Sequence, residues 1–200
     1  MEPQNMINFL LVGVGGQGTI LASDVLADLG LRMGYDVKKA EVHGLSQRGG
    51  SVISHLRWGK EVFSPIISQG NVDVLIAFEK LEAVRFVNQL RPGGLVLVND
   101  YMITPVTVSA GTAVYPSDVT IQSELQRFTE SVHWIKGVEI AETLGNVRTA
   151  NVVILGALST VMDLPVDIFS SVIEARVPKK YIALNHEAFE AGREMLRVGV

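Results

Sequence analysis

Apolar positions along this chain follow two rhythms. Residues 7–12 form a short unbroken apolar run, the pattern of a strand buried on both faces. Beyond a glycine-rich stretch, Ile20, Leu21, Val25, Leu26, Leu29 and Met33 recur at steps of three and four. That spacing predicts an amphipathic helix, with Gly34 as its stop. Residues 37–42 read as a second strand, so the chain opens as a βαβ unit with an expected right-handed crossover. Residues 43–50, HGLSQRGG, are a polar loop, and the alternation of residues 51–58 predicts another strand. A turn at 58–61 leads into an expected short strand ended by Pro65.

The two rhythms then repeat. Residues 72–78 form a buried strand, 80–90 a helix, RPGG at 91–94 a loop, and 95–99 a further strand. Residues 100–115 look β-rich and irregular, followed by a helix over 121–130 and a short strand over 132–135. From Val138 onward only helical patterns follow, at 138–144, 146–162, 165–175 and 179–196. Asn146 suits an N-cap and Pro165 a first helical turn. Residues 150–161 of the second of these helices are almost wholly apolar, interrupted by the small Gly156, Ala157 and Ser159, the pattern of a helix covered on several sides by the core or, as the second reading, by a subunit interface. The expected architecture is α/β: one Rossmann-like three-layer domain over residues 1–200, with a mostly parallel sheet and a helical C-terminal layer.

Composition narrows the chemistry. Hydrophobic residues make up 48% of the 200, which excludes a disordered chain. The net charge is −4 with no basic cluster, so neither nucleic acid nor an anionic membrane is an expected partner. No apolar run is long enough to span a bilayer, and the first residues lack the basic region of a secretory signal, so a cytoplasmic location is expected. Cysteine is absent, which removes disulfides, thiolate catalysis and cysteine ligation of iron–sulfur clusters. Among His43, His55, His133 and His186 no pair has the helical spacing of a local metal site.

Two motifs carry candidate chemistry. In GVGGQG, Gly13, Gly15 and Gly18 stand at dinucleotide-turn spacing between a strand and a helix. The first glycine allows a tight turn, the second a close backbone approach to a ligand, and the third close packing of the helix. The helix N-terminus then presents unpaired N–H groups to an anion. Gly16 and Gln17 are additions, and Gln17 sets an amide at the mouth of the turn, towards a polar ligand or a facing loop. A stand-alone NAD(P) enzyme would need an acid at the end of the second strand. Glu41 is near that place, among basic Lys38 and Lys39. From this motif alone, nucleotide binding and simple close packing both remain open.

The second motif is the loop with His43, Ser46, Gln47, Arg48, Gly49 and Gly50. In an open α/β sheet it shares the carboxyl edge with the glycine turn. Arg48 is suited to clamp a carboxylate or phosphate, and Gly49 and Gly50 to free backbone N–H groups. In isolation such a loop also reads as an ordinary polar connection whose arginine pairs with a nearby acid.

Taken together, GVGGQGTILASDVLA, EVHGLSQRGGSVISHLRWG, NVRTANVVILGALS and VPKKYIALNHEAFEAG resemble the gamma-type subunit of the 2-oxoacid:ferredoxin oxidoreductases, in the indolepyruvate branch. The resemblance implies a subunit that is inactive alone, in an enzyme that oxidatively decarboxylates an aryl 2-oxoacid to an acyl-CoA. It implies no cofactor bound by this chain alone and no catalytic or metal-ligating residue in it. Thiamine diphosphate, Mg2+ and iron–sulfur clusters would belong to a larger partner subunit, with coenzyme A as cosubstrate and ferredoxin as electron acceptor. Gly13, Gly15–Gly18, His43 and Ser46–Gly50 would then form a polar rim facing that partner or the coenzyme A phosphates. Asn146, Asn151, Asn185 and Phe189 match family positions and are read as caps and buried packing groups. A purely structural interaction module is the remaining alternative.

Overall fold

The computed structural model describes residues 6–43 and 50–197. In chain order its regular elements are β1 (Ile7–Val14), α1 (Thr19–Arg32), β2 (Asp36–His43), β3 (Ser51–Gly59), β4 (Val72–Ala77), α2 (Lys80–Phe86), β5 (Leu90–Asn99), α3 (Val106–Ser109), α4 (Asp118–Gln126), β6 (Val132–Ile135), α5 (Gly137–Thr143), α6 (Ala150–Val161), α7 (Val166–Arg176) and α8 (Ile182–Arg197). The strands form one sheet in the order β2-β3-β1-β4-β5-β6. β1, β4, β5 and β6 pair in parallel, while β3 runs antiparallel to both β1 and β2. β2 therefore runs the same way as β1, as the opening unit predicts, with β3 inserted between them.

The unbroken apolar run of β1 follows from its place at the sheet's centre. Phe9 and Leu11 face one layer, with Leu26 and Leu29 of α1, Leu155 and Leu158 of α6 and Phe189 of α8. Leu10 and Val12 face the other, with Ala83 of α2 and Ile121 and Leu125 of α4. All four β1 side chains are at most 1% exposed, each contributing roughly 1.5–3 kcal/mol by leaving water. The result is three layers: helices, sheet, helices.

α6 is the most enclosed helix, buried from Ala150 to Ser159. Its closest neighbour is α8, and the contact depends on two glycines. A methyl group on Gly156 would enter the Phe189 carbonyl oxygen, and one on Gly192 would enter that of Val153. Backbone meets backbone there, so no side chain fits.

Three local expectations are corrected. No strand precedes Pro65: β3 already has β1 and β2 on its two sides, so the outgoing chain leaves the sheet and Val62 N–H donates to Asp36 Oδ2 at 2.8 Å. The RPGG segment lies within β5 rather than in a loop. The register with β4 shifts there, with Gly93 at φ 70°, so a bulge absorbs the extra residues. Residues 100–115 hold no strand: β5, which they follow, is already paired by β4 and β6, so no position beside it is open to their Val and Thr side chains. The short helix α3 forms instead. Pro165 stands one residue ahead of α7, at its N-cap.

Candidate functional site at the carboxyl edge of the sheet

The turn after β1 is held by its own side chain. Gln17 N–H donates to the Val14 carbonyl at 3.2 Å, and Gln17 Oε1 accepts from Val14 N–H at 2.8 Å. Gln17 Nε2 reaches across to the Phe78 carbonyl, beyond the end of β4, at 2.7 Å. Both ends of this amide thus bind main chain. Positive φ falls on Gly16 and Gly18 rather than on Gly13 or Gly15. Gly13 serves close approach, since a Cβ there would lie 2.8 Å from Thr19 Oγ1 and 3.0 Å from Phe78 Cβ. Gly18 caps α1 in the left-handed region at φ 80°, and its Cβ would lie 2.5 Å from Asn151 Nδ2 on α6.

The second loop arrives at the same edge. Val14 pairs with Ser51, and Gly15 N–H donates to the Gly50 carbonyl at 3.0 Å. His43 ends β2 opposite Val52. Ser46, Gln47, Arg48 and Gly49 lie outside the described residues, but His43 and Gly50 fix both ends of their loop at this edge.

Asn99, at the end of β5, completes the wiring. Its Nδ2 donates to the same Phe78 carbonyl at 3.0 Å, and its Oδ1 accepts from Gly137 N–H, the first residue of α5, at 3.0 Å. The ends of β1, β4 and β5 and the start of α5 are therefore one hydrogen-bonded unit. Above it opens a cleft of about 620 Å³, floored by Gly15–Gly18 and Phe78 and walled by Leu21, Tyr101, Ile103, Val138 and Val147. Arg148 and Asn151 stand at its polar end.

Electrostatics favour a negatively charged or strongly polar guest. α1 has no side-chain cap and no acid in its first turn, so its N-terminal N–H groups keep their partial positive charge. The exposed Arg148 side chain makes no ion pair among the described residues. Its backbone N–H donates to Asn146 Oδ1 at 3.1 Å, so Asn146 caps the short helical turn that leads into α6. Asn151 is 2% exposed; its Nδ2 donates to the Gly18 carbonyl at 3.4 Å and its Oδ1 has no partner among the described residues. Asn185 Nδ2 donates to the Tyr181 carbonyl at 2.8 Å.

Glu41 is engaged elsewhere. Its carboxylate meets Lys39 Nζ at 2.7 Å, and Lys39 also pairs with Asp24. Burial works to lower the Lys39 pKa, but these two carboxylates outweigh it and the net shift is upward. An acid held this way is not free for ribose hydroxyls.

The sequence profile of the pyruvate ferredoxin/flavodoxin oxidoreductase family matches residues 8–195. The chain belongs to that family. The indolepyruvate oxidoreductase subunit IorB of Thermococcus kodakarensis is 40% identical over 200 residues, covering 94% of this chain and 97% of that protein. Among solved structures, the keto/oxoacid ferredoxin oxidoreductase gamma subunit from Geobacter sulfurreducens has a TM-score of 0.72 at 22% identity and covers 95% of both chains. A 2-oxoglutarate:ferredoxin oxidoreductase from Magnetococcus marinus, with 2-oxoglutarate, coenzyme A and succinyl-CoA bound, has a TM-score of 0.73 at 22% identity. There the match covers 98% of this chain but 32% of the longer polypeptide.

The candidate site of this family member is floored by main chain at Gly15–Gly18 and walled by side chains. Among the described residues no group of three or more metal-ligating side chains gathers, and no helix is long and apolar enough to cross a membrane. Sequence reasoning missed Asn99 and the walls from Tyr101, Val138 and Val147, which lie far from the glycine turn along the chain. The signal for Asn99 was its place at the end of a buried strand on the carboxyl edge, where a lone amide must find partners.

Proposed function

We propose that this chain is the cluster-free subunit of an indolepyruvate-type (aryl 2-oxoacid):ferredoxin oxidoreductase, and that its carboxyl-edge cleft holds part of coenzyme A against a larger catalytic subunit. With no cysteine, the chain offers no thiolate to an iron–sulfur cluster. Thiamine diphosphate, Mg2+, the clusters and the contact with ferredoxin fall to the larger subunit. In that division of labour this chain binds and positions; it forms no bond to substrate.

The observation that carries the reading is the bond from Gly15 N–H to the Gly50 carbonyl, which anchors both motif loops beside the uncapped start of α1. N–H groups there and Arg148 make a cationic rim suited to phosphate oxygens, and Arg48 is the further cation assigned to it by this reading. The apolar walls at Leu21, Val138 and Val147 suit the uncharged part of a long thioester-forming cosubstrate. A second reading, a turn that serves packing only, is favoured by Gln17, whose amide oxygen and nitrogen each bond main chain.

Reconstitution tests the proposal. The chain alone is expected to be inactive. Combined with its larger subunit it should restore reduction of ferredoxin that depends on both an aryl 2-oxoacid and coenzyme A. Full turnover by the larger subunit alone, or NAD(P)-linked activity from the isolated chain, would reject it.

A further inference from the structure

Helix α2 carries two buried carboxylates, neither of which lines the cleft. Glu79, its N-cap, and Glu82, in its first turn, are each 1% exposed. Glu79 is occupied at the base of the chain that follows β5. It accepts from Ile103 N–H at 3.2 Å, from the Tyr115 hydroxyl, and from Glu82 N–H at 3.0 Å. Glu82 reaches instead to the exit of the second motif loop.

Glu82 Oε2 accepts from the Ser51 hydroxyl at 2.6 Å, and its Oε1 pairs with Arg85, one turn along α2. Arg85 Nη1 closes the triangle, 3.5 Å from Ser51 Oγ. Ser51 follows Gly50 and pairs with Val14 across the β1–β3 ladder. The clamp therefore grips the chain one residue from the Gly50 carbonyl that receives Gly15 N–H. α2 packs in the layer opposite α1, so the loop exit is tied to one helical layer while the glycine turn feeds the other. A buried carboxylate is costly, and an apolar side chain of like volume would often hold the helix as well. What the carboxylate adds is a fixed place for Ser51.

We infer that Glu82 is a positioning residue of the edge site. Through Ser51 it holds the Gly50 carbonyl against Gly15 N–H, and with it the exit of the loop that carries Arg48. The inference rests on the proposed function, because the site it serves is the coenzyme A cleft. Glu82 itself touches no guest, since it is buried behind β3 and is absent from the cleft walls. Its effect therefore falls on binding of the cosubstrate rather than on turnover.

Ser51→Ala tests this without touching the buried charge, which keeps its Arg85 partner, and Ser51→Thr keeps a hydroxyl as the conservative control. In the isolated full chain, Gly15 N–H exchange should quicken about tenfold more than exchange at the central amides of β1 in Ser51→Ala, and Ser51→Thr should restore it. In the enzyme assembled with its larger subunit, KM for coenzyme A should rise at least about threefold in Ser51→Ala with kcat unchanged, and Ser51→Thr should bring it back. Glu82→Gln still offers an oxygen to Ser51 but loses the ion pair, and should fall between Ser51→Ala and the parent. Exchange at Gly15 that moves only as far as the central amides would overturn the inference. So would a Ser51→Ala enzyme whose KM stays parental while Arg148→Ala raises it, for the clamp would then be structural alone. A parental KM in Arg148→Ala is the separate mark of a failed cleft reading, and the positioning role falls with it.

Discussion

Gly15 N–H and the Gly50 carbonyl, 35 positions apart in sequence, are joined by a 3.0 Å hydrogen bond. It extends the β1–β3 ladder one step beyond Val14 and Ser51 and brings the two glycine-rich loops to one place. The bond predicts a contrast in amide exchange. The Gly15 N–H should exchange slowly, with the core strands, while the Gly16 N–H, which has no acceptor among the described residues, should exchange orders of magnitude faster. Equal rates at the two positions would show that the ladder ends at Val14.

Gln17 and Asn99 donate to the same carbonyl, that of Phe78. Gln17→Ala and Asn99→Ala should each lower unfolding free energy by about 1–3 kcal/mol, for the main-chain groups they leave unpaired. The pair should cost more than the sum, because only the double variant strips the Phe78 carbonyl of both donors. Denaturant titration of the four proteins measures this, and strict additivity would remove Phe78 as the shared acceptor.

The α6–α8 crossing makes a steric prediction. Gly156→Ala and Gly192→Ala should each destabilise by roughly 1–3 kcal/mol or more, although alanine is the better helix former, because the added methyl meets a backbone carbonyl that cannot rotate away. Gly34→Ala, where φ is 87° but no atom lies within 4 Å, isolates the cost of the dihedral alone and should be milder. Thermal melts that rank Gly34→Ala as the worst of the three would contradict the packing.

His55 sets a pH dependence. Burial lowers its pKa from the ordinary 6.5, and its Nδ1 accepts from Ile67 N–H at 3.3 Å, which only the neutral ring can do. The unfolded chain therefore takes up a proton first as pH falls. The contribution is fully present above the unfolded value of 6.5 and is lost on descending towards the lower folded value. His133 is shifted down by burial too and acts in the same direction. Melting temperature should drop between about pH 7.5 and about pH 5.5, and the drop should shrink in His55→Leu. An unchanged slope in that variant would acquit His55.

Much of this was legible in the chain itself. The apolar run of β1, the three-and-four spacing of α1 and the all-round apolarity of α6 each report how many sides of an element are covered, and burial enforces that pattern. Strand direction is different. Nothing in residues 51–58 says that β3 turns back between β1 and β2, because alternation is the same in either direction. The Val- and Thr-rich residues 100–115 failed as a strand since propensity is silent on whether a neighbouring strand has an open side; both sides of β5 are taken by β4 and β6. At the site, the strand–turn–helix context gave the glycine turn, whereas Gln17's inward orientation and the Asn99 link depend on carbonyls that only the assembled sheet brings within reach.

The most direct test is the KM for coenzyme A of the assembled two-subunit enzyme carrying Arg48→Ala or Arg148→Ala. If phosphate oxygens rest on this rim, KM should rise about tenfold or more in each, with turnover at saturating coenzyme A held within about twofold. A KM identical to the parent in both assembled variants would contradict the account.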